Sequence, residues 1–304
     1  MPEVKKIIIN ENISGQRLDN FLLNQLKGVP KSKIYSIIRK GEIRINSKRK
    51  KPSYKLASGD EVRVPPIKTS SKVNQFVPTN VIALMKDAIV EENDDYIVLN
   101  KPEGIASHGG SGISIGVIET IRNFGKSYRD AKLVHRLDKD TSGCQVVAKN
   151  NKFLRNCNKL ISERKVKKTY QAIVHGNWIH KDGIYEINIE KNMLIGKERM
   201  VKISEGGKIA KTFFKVIESS KHFSLIHCEL ITGRTHQLRV HLSELGFPIV
   251  GDKKYGIKEN NFPKNSGFKK RMYLHANSFI SEDLNILISV KPPKEFKKIL
   301  KNDE

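Results

Sequence analysis

One stretch of the sequence, Leu133 to Gly143, combines residue types that could do chemistry on a polar substrate. An apolar run ends in the carboxylate of Asp138, Arg136 stands two positions before it, and the turn-forming residues Asp140 to Gly143 follow. A strand entering this turn would place Asp138 at its end, and since side chains alternate along a strand, Arg136 would share its face. The pattern predicts a carboxylate presented to a cleft. The alternative is an ordinary surface turn carrying an ion pair.

Two later blocks carry further polar groups. The first is a predicted strand that contains Tyr170, where packing in a core is the usual role of a tyrosine. The second block reads Ile231-Thr232-Gly233-Arg234-Thr235-His236-Gln237-Leu238-Arg239-Val240-His241. Its two histidines are five residues apart, so they do not share a helix face, and the block does not indicate a metal site.

A glycine-rich run, His108-Gly109-Gly110-Ser111-Gly112, is the one candidate for a nucleotide-cofactor loop, because such loops can cradle phosphate. It lacks both the Gly-Lys-Thr/Ser ending of a P-loop and the glycine triplet of a dinucleotide site. The sequence therefore predicts an activity without a nucleotide cofactor.

The formal charge of +24 and the pI near 9.8 indicate a polyanionic partner, with nucleic acid ahead of a membrane surface. The excess is concentrated at the front, where residues 1–80 hold 17 basic against 6 acidic side chains. Most of the basic residues are lysines, so the scarcer arginines are the better markers of a site, since a guanidinium matches phosphate and carboxylate geometry.

Other features of composition bear on the cell compartment. No apolar run approaches the ~20 residues that span a bilayer, and the first residues lack the apolar core of a secretory signal. The three scattered cysteines argue against a disulfide framework and suit a reducing cytoplasm.

Periodicity divides the chain into two domains of an α+β protein. Residues 1–66 show two helical patterns, the second ending at Gly41, between short strands. Residues 67–87 read as a linker, because Pro78 and a Thr-Ser-Ser run interrupt any pattern. Residues 88–304 read as a strand-rich domain with helices near 115–123 and 151–164 and long hairpins over 183–232.

The blocks resemble, in order, the motifs of the RluA-type pseudouridine synthases. The run His135-Arg136-Leu137-Asp138-x-x-Thr141-Ser142-Gly143 resembles the family's signature, and Lys168-x-Tyr170-x-Ala172 and Gly233-Arg234-x-His236-Gln237 resemble two later motifs. Residues 12–65 resemble an S4 RNA-binding domain. The resemblance implies a mixed, mainly antiparallel central sheet with flanking helices behind that small αα–β domain.

The resemblance also assigns roles to residues of this chain. Asp138 would be the catalytic residue, and Arg234 would pair with it and keep it ionised, as an opposite charge does. Tyr170 would stack on the target base and could help remove its C5 proton, while Arg136 would fill the space that the base leaves. Ile231, His135 and Leu137 would line the substrate pocket. RNA contacts of the S4-like domain would come from Arg17, Lys31, Lys33, Arg39, Lys40 and Arg44.

The implied reaction converts uridines of 23S ribosomal RNA, at positions 955, 2504 and 2580, into pseudouridine. It would need no cofactor and no metal. The expected partner is large-subunit ribosomal RNA rather than a membrane, and the expected form is a cytoplasmic monomer.

Two other functions fit some of the same residues. A non-catalytic RNA-binding or ribosome-assembly protein would use the basic front domain alone, and Asp138, Tyr170 and Arg234 would then have no reason to meet in one cleft. A glycosidase would also use an acid at an anomeric carbon, but it usually needs two carboxylates, and Asp140 is the nearest second acid.

Overall fold

The computed structural model describes residues 4–11, 13–26, 28–67, 77–110, 115–195, 198–257 and 270–301. The predicted loop residues Ser111 and Gly112 and the predicted linker residues 68–76 lie outside these ranges. The chain divides into two compact units, Met1–Phe76 and Val77–Glu304.

The first unit packs two helices on a small antiparallel sheet. Its elements are β1 (Lys5–Ile8), α1 (Leu18–Gln25), α2 (Lys31–Lys40), β2 (Arg44–Ile45) and β3 (Glu61–Val64), with strand order β1-β3-β2. Helix α2 ends at Gly41, which has the left-handed φ of 71° that glycine adopts without a steric cost, as the sequence predicts. Phe21, Leu22, Ile34 and Ile37 form the centre of the core.

The second unit is built on one large sheet. Its helices are α3 (Thr79–Asp87), α4 (Val117–Ile121), α5 (Asn151–Ser162), α6 (Gln237–Glu244) and α7 (Glu295–Lys301). Its strands are β4 (Ile89–Glu92), β5 (Tyr96–Lys101), β6 (Lys132–Leu133), β7 (Ser142–Ala148), β8 (Lys167–His175), β9 (Gly183–Ile195), β10 (Glu198–Ile203), β11 (Lys208–Ser219), β12 (Phe223–Leu230), β13 (Leu274–Ser281) and β14 (Ile286–Ser289).

The strand order is β10-β9-β11-β12-β8-β13-β7-β5-β4, with β14 on β13 and β6 on β7. Among the described residues the pair β13–β7 is parallel and the other pairs are antiparallel. The mixed, mainly antiparallel sheet implied by the resemblance is therefore confirmed. No helix in the described part of the chain has the length and apolar character that crossing a membrane requires.

The structure departs from the predicted linker. Residues 79–87 form α3, and its Met85 is fully buried against Ile97 and Leu99 of β5. The linker prediction is wrong for this segment, because the proline that interrupts the pattern, Pro78, immediately precedes the helix and starts it rather than breaking it.

Gly143 allows the strand that follows Asp138 to meet β13. It has a left-handed φ of 107°, and a Cβ atom there would lie 2.2 Å from the backbone oxygen of Ala276 on β13. Glycine is therefore required at this position both by conformation and by space.

We expect Gly143→Ala to lower the free energy of unfolding by more than about 2 kcal/mol, because the overlap is with backbone and cannot be relieved by a rotamer change. Gly104→Ala is the matched control, since Gly104 also has a left-handed φ, of 78°, but no atom within 4 Å of its Cβ position. It should cost only about 1 kcal/mol. Urea unfolding of the two variants measures the difference, and equal losses would contradict the steric explanation.

Candidate active site

Asp138 lies in the loop between β6 and β7, immediately before a turn in which Thr141 N–H donates to the Asp138 carbonyl over 3.2 Å. It does not end a strand, since β6 stops at Leu133. The backbone N–H of Leu137 donates to the Ser107 hydroxyl (2.9 Å), and that hydroxyl donates to the Leu137 carbonyl (2.7 Å). Because a side chain takes these backbone bonds, the predicted strand through Asp138 is wrong, and so is the strand face shared with Arg136.

Lys101 is hydrogen-bonded to the same loop. It ends β5, is fully buried, and its Nζ donates to the carbonyls of Pro102 (2.7 Å), Ile105 (2.8 Å) and Lys139 (3.1 Å). Burial lowers the pKa of Lys101 to about 7, although the charges of Asp140 and Asp138 act in the opposite direction. The ammonium thus connects the turn after β5 to the residue next to Asp138.

The charge partner of Asp138 is Arg239, on α6. Its NH1 donates to Asp138 Oδ2 over 2.9 Å, and its Nε and NH2 bind both oxygens of Asp252 at 2.7 and 2.8 Å. Burial by itself would lower the pKa of Arg239, but the bonds and charge of Asp252, with that of Asp138, raise it overall. Asp252 is 1% exposed, whereas the side chain of Asp138 is 29% exposed. Arg239 therefore binds both a buried carboxylate, that of Asp252, and an accessible one, that of Asp138.

The prediction that Arg234 pairs with Asp138 is therefore wrong. Arg234 precedes α6, is exposed, and its Nε donates to the carbonyl of Ile209 over 3.1 Å. Its backbone N–H donates to the side chain of Gln237, which also binds Lys211 and Thr212 of β11. The first arginine of the motif contributes to the loop before the helix, and the second one projects from the helix to the acid.

A histidine stands beside the ion pair. His236 has a left-handed φ of 52° at the start of α6, and its Nε2 lies 3.8 Å from Asp138 Oδ2. Its Nδ1 is 2.8 Å from the hydroxyl of Tyr255, which accepts a bond from Val201 N–H. Burial lowers the pKa of His236, against the opposing effect of Asp138, so the ring is neutral at neutral pH and Arg239 remains the cation that faces Asp138.

Tyr170 lies on β8, paired with Cys228 and Ala276, and is buried. Its hydroxyl has no hydrogen-bond partner among the described residues. Burial raises the pKa of Tyr170, so the phenol stays protonated at neutral pH, which suits stacking better than the removal of a proton from a base.

These groups meet in a cavity of about 1320 Å³ in the second unit. The predicted site residues on its wall are Asp138, Tyr170, Arg234, Arg136, Ile231, His135 and Leu137, and Arg239 and His236 join them. Arg136 is exposed, and its side chain makes no hydrogen bond or ion pair with the described residues. His135 instead stacks on Phe279 (ring centroids 5.2 Å apart), and its Nε2 accepts a bond from Val146 N–H.

The six basic residues predicted to contact RNA fall into two groups in the first unit. Arg17 pairs with the buried Asp19 at 2.7 Å, and Arg44 donates to the carbonyls of Gly41 and Ser47. The other four are exposed on α2: Lys31, Lys33, Arg39 and Lys40. The helix thus presents a basic face, while Arg17 and Arg44 also stabilise the unit itself.

Three histidines of the second unit are held neutral by burial, which lowers the pKa of His135 to about 3 and of His241 and His275 to about 4. In the unfolded chain a histidine titrates near 6.5, so between about pH 6.5 and 4 only the unfolded chain takes up these protons. We expect the free energy of unfolding to fall as the pH drops through this window, by up to about 3 kcal/mol for each histidine.

Urea unfolding between about pH 7 and 4.5 measures this slope, and His275→Gln should make it shallower. The histidine rings explain the acid sensitivity only if that variant changes the slope as well as the stability at neutral pH.

Comparison with known proteins follows the same division of the chain. The profile of the RNA pseudouridylate synthase family matches residues 95–244, and the profile of the S4 domain matches residues 16–62. The chain belongs to the RNA pseudouridylate synthase family. Arg239 and Asp138 both lie within the matched region, whereas Asp252 lies beyond it.

Individual relatives are similar over most of the chain. The ribosomal large subunit pseudouridine synthase C of Salmonella typhi is 46% identical over 279 residues, which cover 90% of this chain and 88% of the relative. The enzyme of the same name from Escherichia coli (strain K12) is 45% identical with the same coverage, and that from Pasteurella multocida is 44% identical over 98% of this chain and 93% of its own.

Two solved human structures are similar in fold over about 70% of the chain. RNA Pseudouridylate Synthase Domain Containing 4 has a TM-score of 0.60 and 26% identity, covering 73% of this chain and 95% of its own. RNA Pseudouridylate Synthase Domain Containing 1 has a TM-score of 0.55 and 28% identity, covering 69% and 84%.

Proposed function

We propose that the protein isomerises specific uridines of large-subunit ribosomal RNA to pseudouridine, with Asp138 as the catalytic residue. The observation that carries the proposal is the accessible Asp138 carboxylate, bound by Arg239 at 2.9 Å, in one cavity with Tyr170. The names and the 44–46% identity of the relatives supply the RNA class.

The reaction needs an ionised acid and a confined base. The bond between N1 of uracil and C1′ breaks, the base turns over, a bond forms between C5 and C1′, C5 loses a proton, and N1 gains one. Asp138 acts on the nucleoside as a nucleophile or a base, and the hydrogen bond from Arg239 fixes its rotamer. Atoms and electrons balance within the nucleotide, so the proposed reaction requires no cofactor.

The target nucleotide must leave its stack, at a cost of a few kcal/mol. We assign the exposed Arg136 to the vacated space and the Tyr170 ring to the face of the detached base. The basic face of α2 in the S4 domain supplies contacts to RNA phosphates. The proposed form is a cytoplasmic monomer.

The convergence of Asp138, Tyr170 and Arg234 on one cavity favours an enzyme over a purely RNA-binding assembly factor. A glycosidase usually needs a second carboxylate beside the first. Asp140 does not line the cavity, and two of the acids that do, Glu229 and Asp283, are paired with Lys167 and Lys165.

Mapping pseudouridine in 23S ribosomal RNA tests the proposal. Cells lacking the protein should lose it at positions 955, 2504 and 2580, and wild-type protein should restore it where Asp138→Ala does not. An unchanged modification map in the deletion strain would overturn the proposed function.

A further inference from the structure

Lys168 is a cavity residue whose function the catalytic arrangement leaves open. It lies on β8 two positions before Tyr170, so its side chain leaves the same face of the strand, and both line the cavity that contains Asp138. It is half-buried. The side chain therefore presents a cation on the wall that also carries the stacking ring.

The cation has no counter-ion in the described part of the chain. The neighbouring Lys167 pairs with Glu229 at 2.7 Å and Lys165 with Asp283 at 3.5 Å, but Lys168 makes no ion pair and no hydrogen bond with the described residues. Burial lowers the pKa of Lys168, and no nearby charge opposes that effect. An incompletely solvated, unpaired ammonium costs free energy that an anionic ligand would recover.

The ammonium of Lys168 lies near the backbone of Gly233, in the loop before α6. A Cβ atom on Gly233 would lie 3.6 Å from Lys168 Nζ, so the cation approaches the glycine backbone closely. The N–H of Gly233 donates to no group among the described residues. An ammonium and a backbone amide, brought together from two elements, suit the two free oxygens of a phosphodiester.

The acid of the active site does not satisfy Lys168. Asp138 is bound by NH1 of Arg239, and the second carboxylate of that cluster, Asp252, is bound by Nε and NH2 of the same guanidinium. An anion that pairs with Lys168 must therefore come from the substrate. Uracil is neutral, whereas each nucleotide of RNA carries one phosphodiester charge.

We propose that Lys168 and the backbone of Gly233 form a subsite for a phosphodiester next to the target uridine. The inference rests on the proposed function, which supplies an RNA strand entering the cavity. Its physical effect is to anchor the backbone beside the extruded base, so that the base reaches Tyr170 while Asp138 faces the sugar.

The test couples a change in the protein to a change in the RNA. Steady-state pseudouridine formation is measured on synthetic 23S stem-loops containing a proposed target, with all phosphates or with one neutral methylphosphonate placed 5′ or 3′ to the uridine. We expect Lys168→Met to raise KM by about 10–100-fold and to reduce the slope of log affinity against log salt by about 1. Lys168→Arg should recover most of the affinity, because it keeps the charge.

A methylphosphonate at one of the two positions should raise the KM of the wild-type protein by a similar factor. It should not raise the KM of Lys168→Met any further. Lys167→Met is the matched control: it removes the same charge from the adjacent residue, which already has Glu229 as a partner, so its effect should stay below about threefold.

Equal sensitivity of the wild-type protein and Lys168→Met to both methylphosphonates would overturn the inference, as would an absence of any effect on the wild-type protein. The comparison of the wild-type protein on RNA with and without a methylphosphonate does not depend on whether Lys168→Met folds. If the wild-type protein makes no pseudouridine, the proposed function fails, and RNA affinity with and without the methylphosphonate still decides whether Lys168 binds phosphate.

Discussion

Replacing Asp138 by asparagine is expected to reduce pseudouridine formation by at least about 10⁴-fold while changing RNA affinity by less than about threefold. Asparagine keeps the shape of the side chain and can still accept a bond from Arg239, but it carries no charge and cannot act as a nucleophile or base toward the sugar. The affinity should survive because phosphate contacts, which do not involve Asp138 in the proposed complex, usually supply most of the affinity for a nucleic acid. Release of tritium from C5-labelled uridine in ribosomal RNA measures the rate, and filter binding measures the affinity.

The matched control is Asp140→Asn. Asp140 is two residues away on the same turn and is exposed, but it does not line the cavity and makes no hydrogen bond or ion pair within the described ranges. Its replacement should lower the rate by less than about tenfold. If Asp140→Asn is as inactive as Asp138→Asn, the reaction uses two carboxylates, and the assignment of a single catalytic acid is wrong.

The second large effect is expected for Arg239. Arg239→Met leaves Asp252 buried and unpaired, which should lower the free energy of unfolding by about 3–5 kcal/mol. It also removes the cation from Asp138, so pseudouridine formation should fall by more than about 100-fold even at a temperature at which the variant is folded. Urea unfolding and single-turnover rates separate the two losses.

A double variant separates the structural from the catalytic function of this arginine. In Arg239→Met with Asp252→Leu, no buried carboxylate is left unpaired, so much of the stability should return while the activity does not. Arg234→Gln should change stability by no more than about 0.5 kcal/mol, because Arg234 is exposed and bonds one carbonyl. A larger loss of activity in Arg234→Gln than in Arg239→Met would contradict the pairing described for Asp138.

The two arginines show where local sequence stops being informative. Both lie in one block, five residues apart, and each has the chemistry to pair with a carboxylate. The choice between them depends on where α6 begins, because Arg234 lies in the loop before the helix and Arg239 lies within it. The sequence did not assign Asp252 as the residue that holds Arg239 in place, since the two are 13 residues apart and meet only in the folded chain.

The loop that carries Asp138 gives a similar example. Its apolar run reads as a strand, but Ser107, 30 residues earlier, takes the backbone bonds of Leu137 that a neighbouring strand would have taken. The sequence does not predict the helix over residues 79–87 either, because the residues before it favour turns and Met85 is its one fully buried side chain.

By itself the sequence determined the family, the two-unit organisation and the identity of the accessible acid, because these depend on motifs a few residues long and on the uneven distribution of charge. Only the tertiary structure decided the cation that faces this acid, the loop that presents it and the absence of a counter-ion at Lys168 among the described residues. The physical reason is that ion pairing and burial depend on side chains far apart in the chain: Asp138 and Arg239 are separated by 101 residues and joined by one hydrogen bond of 2.9 Å.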